Sequence, residues 1–530
     1  MNDVIEIHDY WNPRKQYFCL HLILTIAVLM KPSNELFYLI KSLTKSEKRY
    51  FKLSSSLQQG EKNYVKLFDA IEAQSTYDEE LIKELFKGST FINHLPSEKN
   101  HLYNLLLKSL RNFHSDKSVP AQMQEHLKDI EILYNKALYK ECLKIVQKAK
   151  KLAKLHEEFY FVLELINWER VLIEEGYSRG RFNQSINKLI DEEEDVLEKL
   201  RNLAEYQILY SKINYVFRKG GYTRNEKEQR IVNDIMHHRL ITGKNTALSV
   251  KASTACYYIQ GLCAWTNRDL ELAFSNFELV MDRFKKNPLL INELPKRYSR
   301  VLNNQLLYYI DTKNFEKFFK NLDHMKSLAK RPAFRSIDLQ IRIFTFSTIS
   351  ELIACEATGD YERGERVVDQ ILAGLRKYKE KISKEDVILY YYNISRLYLG
   401  CGDYKKALEY INKVLNDNEA NLRQDLFVFA RILNLVIHYE LENYDLLEYI
   451  IKSTSRFIKK KNRDYKYENT ILRYMKKLVR AKQAHLNTDG IITQFTADLK
   501  MLYSDPYEKI TLEYFDVLNW LKSKSIPKKS

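Results

Sequence analysis

The stretch Gly402-Asp403-Tyr404-Lys405-Lys406-Ala407-Leu408-Glu409-Tyr410 decides how this 530-residue chain is read. Upstream of it, Leu389 to Leu399 forms an apolar run that predicts a helix. The Gly400-Cys401-Gly402-Asp403 corner ends that helix, because glycine takes the left-handed conformation a helix C-terminus needs. Asp403 is a natural cap for the next helix. Tyr404 covers the corner, and Ala407 is small where two helices approach closely. Leu408, Ile411 and Leu415 are spaced for one buried face of the second helix.

The same block recurs. Thr358-Gly359-Asp360-Tyr361-Glu362-Arg363-Gly364, Asn443-Tyr444-Asp445-Leu446-Leu447 and Lys313-Asn314-Phe315-Glu316-Lys317-Phe318 repeat its order of turn residue, aromatic and small or apolar residue three positions on. Taking that last residue as a marker gives Cys142, Ser185, Ala273, Phe318, Gly364, Ala407 and Leu447, with successive spacings of 43, 88, 45, 46, 43 and 40. The long step is two steps of 44 with a degenerate unit hidden near Gly220-Gly221. About eight units with a period near 44 residues fall within the range of repeat architectures. One recurring helix-turn-helix unit predicts a solenoid whose core grows along one axis, and such folds mostly bind other macromolecules.

These units resemble the tetratricopeptide-repeat family. Tyr391, Ile394, Tyr398, Gly402, Tyr404 and Ala407 fall where that family places its aromatic, leucine, tyrosine, glycine, aromatic and alanine. A second match runs from Tyr257 through Gly261, Asp269, Ala273 and Phe277 to Pro288. The resemblance covers roughly residues 125–480. The period is longer than the family's, Gly364, Phe318 and Leu447 replace its alanine, and most units lack its terminal proline. The resemblance implies an all-α fold, a right-handed superhelical solenoid of antiparallel helix pairs. It also implies that the first helix of each pair lines a concave binding face. Carried over by position, that face would present Tyr258 and Trp265 in one unit, Arg300 and Asn303 in the next, and Tyr392 and Arg396 further on.

Composition points the same way. With 14 Gly and 9 Pro in 530 residues, the chain lies far below the roughly 7% and 5% of average usage, which leaves little turn chemistry for a sheet-rich fold. A hydrophobic content of 45% suffices for a continuous core, and the 37 Tyr suit helix-pair interfaces. The six cysteines, Cys19, Cys142, Cys256, Cys263, Cys355 and Cys401, form no C-x-x-C pair and read as core residues of a reducing compartment. The expected location is the cytoplasm.

Four regions are expected. Residues 1–32 are a leader or a start upstream of the true one, 33–120 an N-terminal helical segment, 121–480 the repeats, and 481–530 a C-terminal helical cap with a basic tail. Three readings of residues 1–29 stay open. Met30 is the start, or the segment docks on the fold or a membrane surface, or Arg14 and Lys15 precede a signal core. The apolar run from Tyr17 to Met30 is too short for a membrane span, and no integral span is expected. In the N-terminal segment, helices are predicted over Glu35–Leu43, Thr44–Lys52 behind a Thr44-Lys45-Ser46-Glu47 capping box, Asn63–Ala73, Asp78–Phe86 and Ser97–Phe113. The segment reads as a small cap that starts the superhelix. The alternative is a DNA-reading pair of helices with Lys45, Lys48, Arg49 and Lys52 on the second.

The chain lacks G-x-x-x-x-G-K-[ST], G-x-G-x-x-G and H-E-x-x-H, and no enzymatic activity, cofactor or metal is expected. His237-His238 reads as a surface turn, Asp191 to Asp195 as a solvated acidic run, and Trp168 and Trp265 as interface packing. Charge is more suggestive: 85 Lys+Arg stand against 69 Asp+Glu, a net +16. Lys144, Lys148, Lys151 and Lys154 share a stripe, Arg456, Lys459, Lys460, Lys461 and Arg463 cluster beside Tyr465 and Tyr467, and the tail ends in Lys522, Lys524, Lys528 and Lys529. Both signs interleave almost everywhere, which favours solvated faces over a nucleic-acid footprint. The expected function is non-catalytic binding of a protein or peptide on the concave face. A bacterial regulator that couples an N-terminal helical effector domain to a peptide-sensing repeat domain is the alternative, and nucleic acid bound through the basic surface is a further one.

Overall fold

The computed structural model describes residues 33–56, 63–115, 118–178, 186–220, 222–223, 225–417, 424–460, 465–502, 504, 508 and 515–525. Among these residues the structure is helical throughout, with no strand. The readings of residues 1–32, with Cys19 and Met30, and those of Ser185, Gly221, Lys461, Arg463, Lys528 and Lys529 lie outside the described residues. The chain divides into two units, residues 1–153 with 164–182, and residues 154–163 with 183–530.

The first unit opens with α1 (Ser33–Ser42), α2 (Lys45–Ser56), α3 (Asn63–Ala73), α4 (Glu79–Leu85) and α5 (Leu95–His114). The capping box at the start of α2 forms as expected. The Thr44 N–H donates to Glu47 Oε2 at 2.7 Å, and the Glu47 N–H donates to Thr44 Oγ1 at 3.3 Å. Leu36, Ile40, Phe51, Leu67, Phe68, Ile71, Ile82, Leu102 and Leu106 build one core shared by these five helices. Then come α6 (Val119–Asn135), α7 (Tyr139–Leu155) and α8 (Phe159–Ser178). Buried Cys142 donates its thiol to the Ile130 carbonyl, and half-buried Trp168 packs edge-on to Tyr134.

The second unit holds α9 (Ile186–Gly220), α10 (Glu226–Met236), α11 (Arg239–Thr242), α12 (Val250–Thr266), α13 (Leu270–Lys286), α14 (Leu289–Glu293), α15 (Pro295–Asp311), α16 (Phe315–Leu328), α17 (Ile337–Thr358), α18 (Tyr361–Tyr378), α19 (Lys384–Gly400), α20 (Tyr404–Leu415), α21 (Gln424–Glu440), α22 (Tyr444–Lys460), α23 (Lys466–Gln483), α24 (Asp489–Leu502) and α25 (Val517–Ser525). From α12 to α23, helices follow one another in packed succession. A second set of contacts skips one helix: α15 on α17, α17 on α19, α19 on α21, and α21 on α23. The first helices of successive pairs therefore touch each other. Two cores result, one spanning residues 206–354 and one spanning 349–521.

The corners explain the spacing of the markers. Ala137, Arg268, Lys313, Gly359, Gly402 and Glu442 are all left-handed, at φ +56°, +61°, +56°, +73°, +84° and +58°. In five of these corners the residue that follows sends its N–H five residues back. Leu138 reaches the Leu133 carbonyl at 3.0 Å, Asp269 reaches Ala264 at 2.9 Å, Asn314 reaches Tyr309 at 2.8 Å, Asp360 reaches Cys355 at 3.0 Å, and Asn443 reaches His438 at 3.0 Å. This is the Schellman ending. The residue that closes one helix then opens the next. Asp269, Asn314, Asp360 and Asp403 accept a backbone N–H three residues on with their side chains, at 3.0, 3.3, 3.2 and 3.0 Å. Each marker sits four residues after this cap and donates its N–H to the cap's carbonyl, as Ala407 does to Asp403 at 3.0 Å. Cys142, Ala273, Phe318, Ala407 and Leu447 are 0% exposed, so the marker is the residue the corner drives into the core. A Cβ on Gly364 would lie 2.6 Å from Leu397 Cδ1, which is why that unit carries glycine there.

Candidate functional site

The cleft with the richest chemistry lies in the second unit, where α9, α12 and α15 come together. It has a volume of about 360 Å³ and is lined by Tyr210, Tyr258, Glu293, Leu294, Pro295, Lys296, Arg297 and Arg300. That volume falls within the range of ligand pockets.

Its floor is a polar network assembled from three distant segments. Glu157, left-handed at φ +50° in the turn after α7, turns its carboxylate onto the first turn of α12. There it accepts the N–H groups of Val250 and Lys251 at 2.7 Å each. Ser249 Oγ takes the Ala252 N–H at 3.1 Å, so the open end of α12 is closed by side chains. The Lys251 ammonium is buried between Glu158 at 2.8 Å and Glu293 at 3.3 Å. His156 Nδ1 meets the other oxygen of Glu293. Lys251, Glu158 and Glu293 are thus ion-paired, and Glu157 is held by the backbone N–H groups of α12.

The wall is different. Arg297 donates to Thr254 Oγ1 at 2.8 Å and to the Lys251 carbonyl at 3.3 Å. Arg300 donates to the Tyr210 hydroxyl at 2.6 Å. The Tyr210 and Tyr258 rings lie 5.9 Å apart at 39°. Burial pushes the Tyr258 hydroxyl up to about 12, with Tyr210 adding to the shift and Arg300 and Arg297 opposing it. Burial likewise lowers the Arg297 guanidinium; Tyr258 and Tyr210 favour its charge and Arg300 opposes it. On neighbouring α17, the Arg342 guanidinium is lowered by burial first and by Arg300 next. The buried Arg342 Nε has no hydrogen-bond partner, and Asp338 stands 3.9 Å from its Nη2.

Of the six residues carried over from the family's positions, the structure brings Tyr258 and Arg300 together at this cleft. The other four stand elsewhere. Trp265 is 7% exposed, with its ring against Phe277. Half-buried Asn303 accepts from Ser350 Oγ at 3.4 Å. Tyr392 is 1% exposed inside the second core, and Arg396 is ion-paired with Glu356 at 2.8 Å. The sequence reading passed over Tyr210, Arg297 and the Glu157-Lys251-Glu293 network. Arg297 had a signal, since three residues before Arg300 is the same helix face. Tyr210 had none, because it lies inside the 35-residue α9, which no marker divides.

Other candidates are less equipped. Lys144, Lys148, Lys151 and Lys154 are exposed, and Lys154 pairs with Glu192 at 2.5 Å. On α2, Lys48 pairs with Glu72 at 2.8 Å and Lys52 with Asp69 at 2.7 Å, while Phe51 is buried. Two of the four basic residues of the supposed reading helix are thus engaged by α3. A cleft of about 270 Å³ on α23 is lined by Lys466, Asn469, Thr470 and Arg473. Glu508 closes the start of that helix, and Asp498 holds Arg473 at 2.8 Å. His237 and His238 lie between α10 and α11, and His238 caps the latter. Among the described residues, no group of three or more His, Cys, Asp or Glu is placed to hold a metal ion. No described helix is long and apolar enough to cross a membrane.

Gly176-Tyr177-Ser178-Arg179-Gly180 fits the G-x-S-x-G pattern, a match the sequence reading also passed over. A nucleophile elbow needs a strand leading into the serine. Here α8 leads into it, and residues 179–180 lie outside the described residues. No family model matches this chain, and a search of curated proteins returns no match.

Proposed function

We propose that this chain is a non-catalytic, cytoplasmic binding protein of the tetratricopeptide type. In this reading the helix pairs run antiparallel and wind into a right-handed superhelix, with α1–α5 as its N-terminal cap, and the first helices form a concave face that takes a protein or peptide. One observation carries the reading: first helices pack on one another in series, and a cleft of about 360 Å³ opens where α9, α12 and α15 come together. A superhelix of helix pairs puts its ligand on that inner row. The closed core of α1–α5 also suits a regulator with a separate effector domain. The ion pairs on Lys48 and Lys52 count against that domain reading DNA through α2.

Affinity purification of the full chain, followed by mass spectrometry, names the partner. Tyr210→Ala is then expected to lose that partner while helicity and melting temperature hold. Unchanged capture by Tyr210→Ala would place the binding face elsewhere.

A further inference from the structure

The cleft carries positive charge that the fold leaves unbalanced. Arg297 and Arg300 stand three residues apart on one face of α15, where like charges repel. Both are half-buried, and each donates only to neutral groups: Thr254 Oγ1 and the Lys251 carbonyl for Arg297, and the Tyr210 hydroxyl for Arg300. Neither is ion-paired with a carboxylate of the described residues. Glu293 in the cleft lining and Asp338 on α17 are already engaged. Glu293 meets His156 and Lys251, and Asp338 meets Lys296 at 3.0 Å as well as Arg342. Partly desolvated arginines without counter-charge are costly, and a bound anion relieves that cost.

We propose that this cleft seats an acidic segment of a partner polypeptide, with one carboxylate side chain bridging the guanidinium groups of Arg297 and Arg300. The inference rests on the peptide-binding reading above and specifies its ligand. Arginine forks match a carboxylate two bonds at a time. The Tyr210 hydroxyl accepts from Arg300 and donates to Asn214 Oδ1 at 3.4 Å, which holds the Arg300 guanidinium at the cleft. Leu294 and Pro295 give the segment an apolar wall. The net charge of +16 steers an acidic partner toward the protein, whereas these two arginines give it a docking point.

The probe is an acetylated, amidated, fluorescein-labelled peptide of alternating glutamate and alanine, titrated into the full chain. Its glutamine counterpart, a version with a free C-terminus, and inorganic phosphate as competitor complete the set. The glutamate peptide is expected to bind and the glutamine peptide not to. Arg300→Gln is expected to weaken binding about tenfold or more, as loss of one partner of a buried charge pair does, with Arg300→Lys between the two. Arg297→Gln reads out the second fork. Lys148→Gln with Lys151→Gln removes two exposed charges elsewhere and is expected to change little. Equal losses in that control and in Arg300→Gln would reduce the effect to diffuse attraction and overturn the proposal. So would binding that needs the free C-terminus, or equal displacement by phosphate of both peptides. If the purified partner depends on Tyr210 yet binds Arg300→Gln normally, the acidic-segment proposal fails while the peptide-binding reading stands. If Tyr210→Ala also leaves the partner bound, the binding face lies elsewhere, and this cleft is overturned as the peptide site along with the acidic-segment proposal.

Discussion

Lys313 is an exposed lysine held at φ +56° at the corner between α15 and α16. A side chain in the left-handed region costs roughly 1–2 kcal/mol, because Cβ crowds the following carbonyl. Of the six corners described above, four accept that cost, at Ala137, Arg268, Lys313 and Glu442, and two avoid it with glycine, at Gly359 and Gly402. The corner is therefore imposed by the helices on either side rather than by glycine. Lys313→Gly is expected to raise stability by about 1 kcal/mol, read as a higher urea midpoint. An unchanged or lower midpoint would mean that this corner is relaxed in another conformation. The glycine that made Gly402 legible is thus a sufficient signal and not a necessary one.

The helix pair is the element that the marker residue holds together. Ala407 is 0% exposed, and its carbonyl accepts the Ser395 hydroxyl of α19 at 2.8 Å. Ala407→Arg inserts a long charged side chain at this contact, and overpacking alone costs about 1–3 kcal/mol. The variant is expected to lose at least that much stability. Hydrogen exchange should locate the loss in α19 to α21, while α12 and α13, in the other core, keep their protection. Uniform loss across the unit would argue against short-range coupling along a repeat array. Phe318 and Leu447 fill the same position fully buried in their own units. The position thus fixes burial, and the facing helix fixes size, as Leu397 does for Gly364.

Across the whole molecule, two histidines tie stability to pH. His324 accepts or donates at 2.8 Å to the Tyr298 hydroxyl in one core, and His438 Nδ1 faces Asn443 Nδ2 at 3.1 Å in the other. Burial lowers the pKa of both, with Arg331 adding to the effect at His324. The unfolded chain takes up protons at these sites as pH drops through about 6.5, before the folded chain does. Their contribution is thus complete above that pH and is lost as pH falls toward the lower folded values. The urea midpoint is expected to fall between about pH 7 and pH 5.5, before carboxylates dominate. Replacing both histidines with glutamine should flatten that slope. A slope that survives the double substitution would assign it to other groups.

What the sequence determined by itself is local. The caps at Asp269, Asn314, Asp360 and Asp403, the capping box at Thr44, and the buried markers all act within a few residues of their own position, so pattern and spacing reveal them. Helix boundaries in the N-terminal segment agree to within a turn for the same reason. What only the tertiary structure decided is which side chains of the first helices meet a cleft and which enter the core. Tyr258 and Tyr392 occupy equivalent positions by spacing and each is buried in a core, yet Tyr258 also lines the cleft whereas Tyr392 does not. Helix rotation and the length of neighbouring helices set that outcome, and neither leaves a mark on the residue itself. The Arg300–Tyr210 bond joins residues 90 apart, and the His156–Glu293 contact joins residues 137 apart. Such sites exist only once packing has chosen neighbours, because side chains interact over a few ångströms and not along the chain.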